Sequence, residues 1–142
     1  MRLNHTDLTI VTQVTFLLEK EYNQYHTHSS LAIDYYINER KLRTIFKIVT
    51  GKTINDFLTG VRIRKAKEYL SSTDAPVKRI AYNVGLDIRT LEKHFKKCTG
   101  MTPLEWRHQE TDLPVFDRTI SAVKENRPDL THFYPDLTNH LQ

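Results

Sequence analysis

The 142-residue chain holds one cysteine, Cys98, four glycines, five prolines and one tryptophan. A single thiol cannot close an internal disulfide or supply a thiolate cluster for zinc, which fits a reducing cytoplasm. Cys98 lies near a predicted helix end and reads as an inert buried thiol. So few glycines and prolines exclude a low-complexity or disordered whole. No apolar run approaches the ~18 residues that cross a bilayer. The first twenty residues carry Asn4, His5, Thr6, Asp7 and Glu19, so no signal-peptide core is present. His26 and His28 have no third ligand near them, which argues against a metal site. No nucleophile–base pair and no glycine-rich phosphate loop is found, so neither catalysis nor a cofactor is expected.

Positive charge is what the chain has in excess, and it is segregated. The formal net charge is +4. Residues 1–37 hold two Lys/Arg against four Asp/Glu, residues 38–107 sixteen against seven, and residues 108–142 three against six. A strongly basic middle thus lies between mildly acidic ends, and such a field attracts polyanions.

That basic region contains one unit twice, 49 positions apart and without a gap. Ala32 matches Ala81, Leu42 matches Leu91, and Phe46-Lys47 matches Phe95-Lys96. Thr50-Gly51 matches Thr99-Gly100, Thr53 matches Thr102, and Phe57 is answered by Trp106. A fixed period of this length marks a repeated supersecondary unit. The unit reads helix, tight turn, helix and a Thr-Gly stop, the pattern of a helix-turn-helix.

The fold class expected is all-α. Thr6 or Asp7 is placed to cap a first helix that runs to about Tyr22. A short helix opens at Leu31 and ends near Tyr36. Asn38 caps a second, which Gly51 ends in the left-handed conformation. A linker helix of about residues 53–70 follows. Gly60 inside it costs roughly 1 kcal/mol relative to Ala, which points to close packing there. Val77–Val84, a turn at Gly85, a helix from Ile88 to Cys98 capped by Asp87, and a stop at Gly100 repeat the pattern. Pro103 suits the first turn of a last short helix. Phe46, Phe57, Phe95 and Trp106 read as core. Residues 114–126 suggest an amphipathic helix through Phe116, Ile120 and Val123.

In each unit the second helix exposes a polar, mostly basic face. Its members are Glu39, Arg40, Lys41, Arg43, Thr44 and Lys47, then Arg89, Thr90, Glu92, Lys93, Lys96 and Lys97. A helix fits the major groove of double-stranded DNA, and its N-terminal half meets base edges. Lys47, Lys96 and Lys97 lie past the helix middles, better placed for phosphates, and Lys41 joins that set. Glu39 and Glu92 read as capping or solvating residues rather than as readers of cytosine, because carboxylates also repel phosphates. Arg62 is either part of a solvated face or a bridge between the halves through a carboxylate. His94 reads as a surface residue.

These residues carry a family resemblance. Leu31-Ala32 through Leu42-x-x-x-Phe46-Lys47-x-x-Thr50-Gly51, Arg62-x-x-x-Ala66, Ile80-Ala81-x-x-Val84-Gly85-Leu86, Phe95-Lys96-Lys97-x-x-Gly100 and Thr102-Pro103-x-x-Trp106-Arg107 together resemble an AraC/XylS-type DNA-binding domain. The likeness covers about residues 8–107. It is looser in the second unit, where Gly85 to Phe95 is one residue short and Leu86 replaces a common aromatic.

The resemblance implies two helix-turn-helix subdomains (about 31–51 and 77–100), homeodomain-like three-helix units joined by the long linker. Together they make a domain over 1–107. It implies a bacterial regulator that binds promoter DNA and contacts RNA polymerase. It places base reading on Arg40, Arg43 and Thr44 in the first unit and on Arg89, Thr90, Glu92 and Lys93 in the second. Residues 108–142 form an extension with no match in the repeat, and self-association is a role open to it. The rival expectation is a helical protein-interaction module that has lost base reading.

Overall fold

The structure, a computed structural model, describes residues 2–112. Its described secondary structure is helical throughout: α1 (His5–Lys20), α2 (His28–Asp34), α3 (Glu39–Thr50), α4 (Ile54–Ser72), α5 (Val77–Asn83), α6 (Ile88–Thr99) and α7 (Pro103–Asp112). The expected helix over 114–126, and with it self-association through the extension, lies outside the described residues.

The 49-residue period is a period of structure as well as of sequence. Adding 49 to the bounds of α2 and α3 gives those of α5 and α6, and the start of α4 maps onto the start of α7. The stops repeat in detail. Gly51 and Gly100 both adopt the left-handed conformation, with φ of 77° and 79°. Before each, a threonine hydroxyl donates to the carbonyl of the preceding phenylalanine at 2.8 Å, Thr50 to Phe46 and Thr99 to Phe95. The same oxygens accept the amides of Lys52 and Met101 at 3.1 Å. Thr-Gly ends the helix because the hydroxyl and the glycine together satisfy its last carbonyls and reverse the chain.

The helix starts differ from expectation in two places. Asn4, rather than Thr6 or Asp7, caps α1: it accepts the Asp7 amide at 2.8 Å, and the Asp7 carboxylate accepts the Asn4 amide at 3.2 Å. This reciprocal box needs an acceptor three residues beyond the cap, which the Asn4–Asp7 spacing supplies. A second box, between Thr27 and Ser30, starts α2 at His28, three residues before Leu31. The caps expected at Asn38 and Asp87 are present.

Two cores form, one per unit. Val11, Val14 and Leu18 of α1 pack with Leu31, Leu42, Ile45 and Phe46. Ile63, Ala66 and Leu70 of α4 pack with Ile80, Val84, Leu91, Phe95 and Trp106. Each core contains an edge-to-face aromatic pair at repeat-related positions: Phe46–Phe57 at 5.6 Å and Phe95–Trp106 at 6.0 Å between ring centroids. Such pairs add about 0.5–1.5 kcal/mol beyond area burial.

The segment after α1 joins the two cores. Tyr22 packs against both. Its phenol is pushed up to about 12, first by burial and then by a hydrogen bond with Tyr69. The raised value favours the neutral phenol, so this stabilisation is complete below pH 10 and fades as pH rises toward 12. Arg62, on α4, donates to the Tyr22 carbonyl at 2.7 Å and the Gln24 carbonyl at 2.9 Å. It therefore bridges, but to backbone carbonyls rather than to a carboxylate. The second unit repeats this logic: Arg107 of α7 donates to the carbonyls of Leu70 and Thr73 at the end of α4, at 3.2 and 3.3 Å. In each case an arginine distant in sequence satisfies backbone carbonyls, those of the connector after α1 for Arg62 and those at the end of α4 for Arg107.

Gly85 completes the junction. It sits at φ +83°, and a Cβ there would lie 2.9 Å from the Asn23 carbonyl oxygen. The matching position of the first unit is Tyr36, at φ 54° with its side chain 97% exposed. Left-handed geometry alone tolerates a tyrosine; close approach to the Asn23 backbone does not.

Two expectations fail. Gly60 is exposed, and a Cβ there would meet nothing within 4 Å, so no close packing requires it. Gly60→Ala should stabilise the fold by about 0.5–1 kcal/mol, measured as a higher urea midpoint at constant m. No gain, or a loss, would show that the glycine is needed. Cys98 is exposed rather than buried. It repeats Val49, itself 40% exposed. At this position the last turn of the helix extends past the edge of each core, so helical spacing alone misleads.

Candidate nucleic-acid interface

The cations of α3 and α6 are arranged by the burial of the opposite face. α3 buries Leu42, Ile45 and Phe46, and α6 buries Leu91 and Phe95. With 3.6 residues per turn, Arg40, Arg43, Thr44 and Lys47 fall on one stripe facing away from that core. Arg89, Glu92, Lys93 and Lys96 form the same stripe on α6. All eight are exposed except Thr44, which is half-buried. The first stripe lines a concavity of about 570 Å³, together with residues 53–55 at the start of α4. Helix N-termini carry unpaired amides and partial positive charge, so this floor adds to the attraction for anions.

Two expected contacts sit off the stripes. Lys41 and Thr90 share one register position, roughly 110° round the helix. Lys41 was expected on phosphate, but its ammonium lies 3.3 Å from the Asp7 carboxylate, whose side chain is 4% exposed. The ion pair holds the Lys41 ammonium beside Asp7 while 44% of the lysine side chain stays exposed. Thr90 was expected on a base edge, yet its hydroxyl donates to one Asp87 oxygen at 2.9 Å while its amide donates to the other at 2.8 Å. These bonds, the amide first, hold the Asp87 carboxyl below its usual range. Thr90 is thus part of the cap of α6.

The remaining expected residues keep free surfaces. Thr44 donates its hydroxyl to the Arg40 carbonyl at 2.9 Å, so its methyl group is what it can offer a base. Lys97 is exposed beside the α6 stripe, at the register of Ile48. Glu39 occupies the first turn of α3, where a carboxylate favours the helix dipole. His94 is half-buried rather than a surface residue, and its Nδ1 is buried without a hydrogen-bond partner. It repeats Ile45 of the first core. Among the described residues no cluster of side chains suits a metal ion, and no helix is long and apolar enough to cross a membrane.

The helix-turn-helix domain family matches residues 31–109, more than half of the chain. The chain belongs to the AraC/XylS-type helix-turn-helix family. The transcriptional activator RhaR of Enterobacter sp. (strain 638) is 37% identical over 73 residues, 51% of this chain and 26% of RhaR. The uncharacterized HTH-type transcriptional regulator YfiF of Bacillus subtilis (strain 168) is 26% identical over 128 residues, covering 87% of this chain and 41% of YfiF. The chain thus spans between about a quarter and two-fifths of these relatives.

Among solved structures, the C-terminal domain of AraT, a response regulator from Geobacillus stearothermophilus, aligns with TM-score 0.69 and 29% identity. The alignment covers 77% of this chain and 88% of that one. The DNA-binding domain of AdpA, a global transcriptional factor solved in complex with a target DNA, aligns with TM-score 0.64 and 25% identity, over 70% and 90% of the two chains. The AraC-type domain is therefore a DNA-binding module of transcription regulators and not an enzyme.

Sequence reading missed the floor of the concavity in this AraC-type domain. Its signal was present in Thr53, whose side chain accepts the Asp56 amide at 3.1 Å and so marks a helix start beside the basic stripe.

Proposed function

We propose that the chain binds operator DNA through both stripes, with α3 and α6 in successive major-groove segments on one side of the duplex. The observation that carries this reading is the recurrence, at one register, of a solvent-facing stripe of arginine and lysine on two helices joined through a single braced linker. α4 has 19 residues, so at 1.5 Å per residue it spans ~28 Å. Adjacent major-groove faces are ~34 Å apart, and side chains cover the difference. In this reading Arg40, Arg43, Thr44, Arg89, Glu92 and Lys93 meet base edges, and Lys47, Lys96 and Lys97 meet phosphates.

A salt titration tests it. Log K should fall with log salt at a slope of roughly −5 to −9, as for ~6–10 phosphate contacts. Absence of binding in low salt would favour the protein-interaction module instead. Arg43→Ala should cost about 1–3 kcal/mol on the preferred site and much less on random DNA. An equal loss on both would make Arg43 a phosphate contact.

A further inference from the structure

The two stripes are the same in register but not in charge. Arg40 repeats as Arg89, and Lys47 repeats as Lys96, but Arg43 is replaced by Glu92 and Thr44 by Lys93. Glu92 is exposed on the outward stripe, four residues before Lys96 on the same helix. Its side chain makes no ion pair or hydrogen bond among the described residues. A solvated carboxylate on a groove-facing helix is repelled by every phosphate near it. It gains only where a base presents a donor without an adjacent acceptor of its own. Guanine offers O6 and N7, both acceptors, and thymine offers O4. Adenine has a donor at N6, but its N7 acceptor lies beside it. Cytosine offers the N4 amino group alone.

We propose that Glu92 is a specificity-determining residue that selects cytosine at the step of the second half-site matching the Arg43 step of the first. This inference rests on both stripes engaging DNA. It makes the operator asymmetric: Arg43 selects guanine at its step, and Glu92 excludes guanine at the corresponding one. The exclusion is as informative as the attraction, because guanine there would face a carboxylate with two acceptors.

Selection of bound sequences from a random duplex pool, run with the full chain and with the variants Glu92→Gln and Glu92→Arg, tests the inference. Circular dichroism of each variant verifies that this exposed position leaves the fold intact. The unaltered chain should enrich cytosine at one step of one half-site, by about 5–150-fold over the other bases, the discrimination of one good base contact. Glu92→Gln should lose that cytosine preference and leave the other steps unchanged. Glu92→Arg should convert the step to guanine.

Sequence preferences identical in all three proteins, with affinity raised equally on every duplex by either substitution, would make Glu92 a repelled bystander and overturn the inference while leaving DNA binding intact. Failure of the unaltered chain to enrich any sequence would instead overturn the two-stripe reading on which the inference depends.

Discussion

Phe95→Ala should remove about 3–5 kcal/mol of stability, the cost of truncating a fully buried aromatic. Phe95 has no exposed surface, and its ring meets Trp106 edge to face, so the loss combines burial, a cavity and an aromatic pair. A domain of this size has roughly 5–15 kcal/mol in total. The damage should also be uneven, because the two cores are separate clusters that share Tyr22. Native-state hydrogen exchange should show protection falling in α5–α7 well before α1–α3. Equal loss of protection across all seven helices would mean that the two units open only together.

Gly85→Ala should cost about 2–4 kcal/mol, more than the same change at Gly51 or Gly100. All three glycines share a left-handed backbone, which penalises alanine by about 1–2 kcal/mol. Only at Gly85 does the added carbon meet backbone, 2.9 Å from the Asn23 oxygen and 3.0 Å from its Cα, while the other two sites are open. Backbone cannot rotate aside as a side chain can, so the junction between the units must shift. Urea midpoints of the three variants at constant m separate conformational strain from collision. Equal losses at all three would remove Gly85 from the junction.

Much of this fold is legible because its decisive signals are local. Asn38, Asp87, Gly51 and Gly100 act within one turn of chain, and their roles follow from residue type and position. The errors lie where residue type leaves the partner open. Asn4, Thr6 and Asp7 are all plausible caps, and Asn4 takes the role because Asp7 answers it three residues on. Arg62 carries no mark of its target, because the Tyr22 and Gln24 carbonyls are not side chains. Gly60 has a propensity cost but no packing reason, which spacing cannot show.

At the interface, the stripe was readable from helical spacing, and so was the position of Lys41 and Thr90 to one side of it. What could not be read was that Asp7 is buried and draws Lys41 to it. The 49-residue spacing does set His94 at the position of Ile45, but it could not show that its Nδ1 is buried without a hydrogen-bond partner.

The central claim is that one chain lays two helices into one duplex. Hydroxyl-radical footprinting of the one-to-one complex on a selected site tests this most directly. The account predicts two protected patches on the same side of the DNA, their centres one helical turn, about 10–10.5 base pairs, apart. A single patch, or two patches on opposite sides, would contradict it.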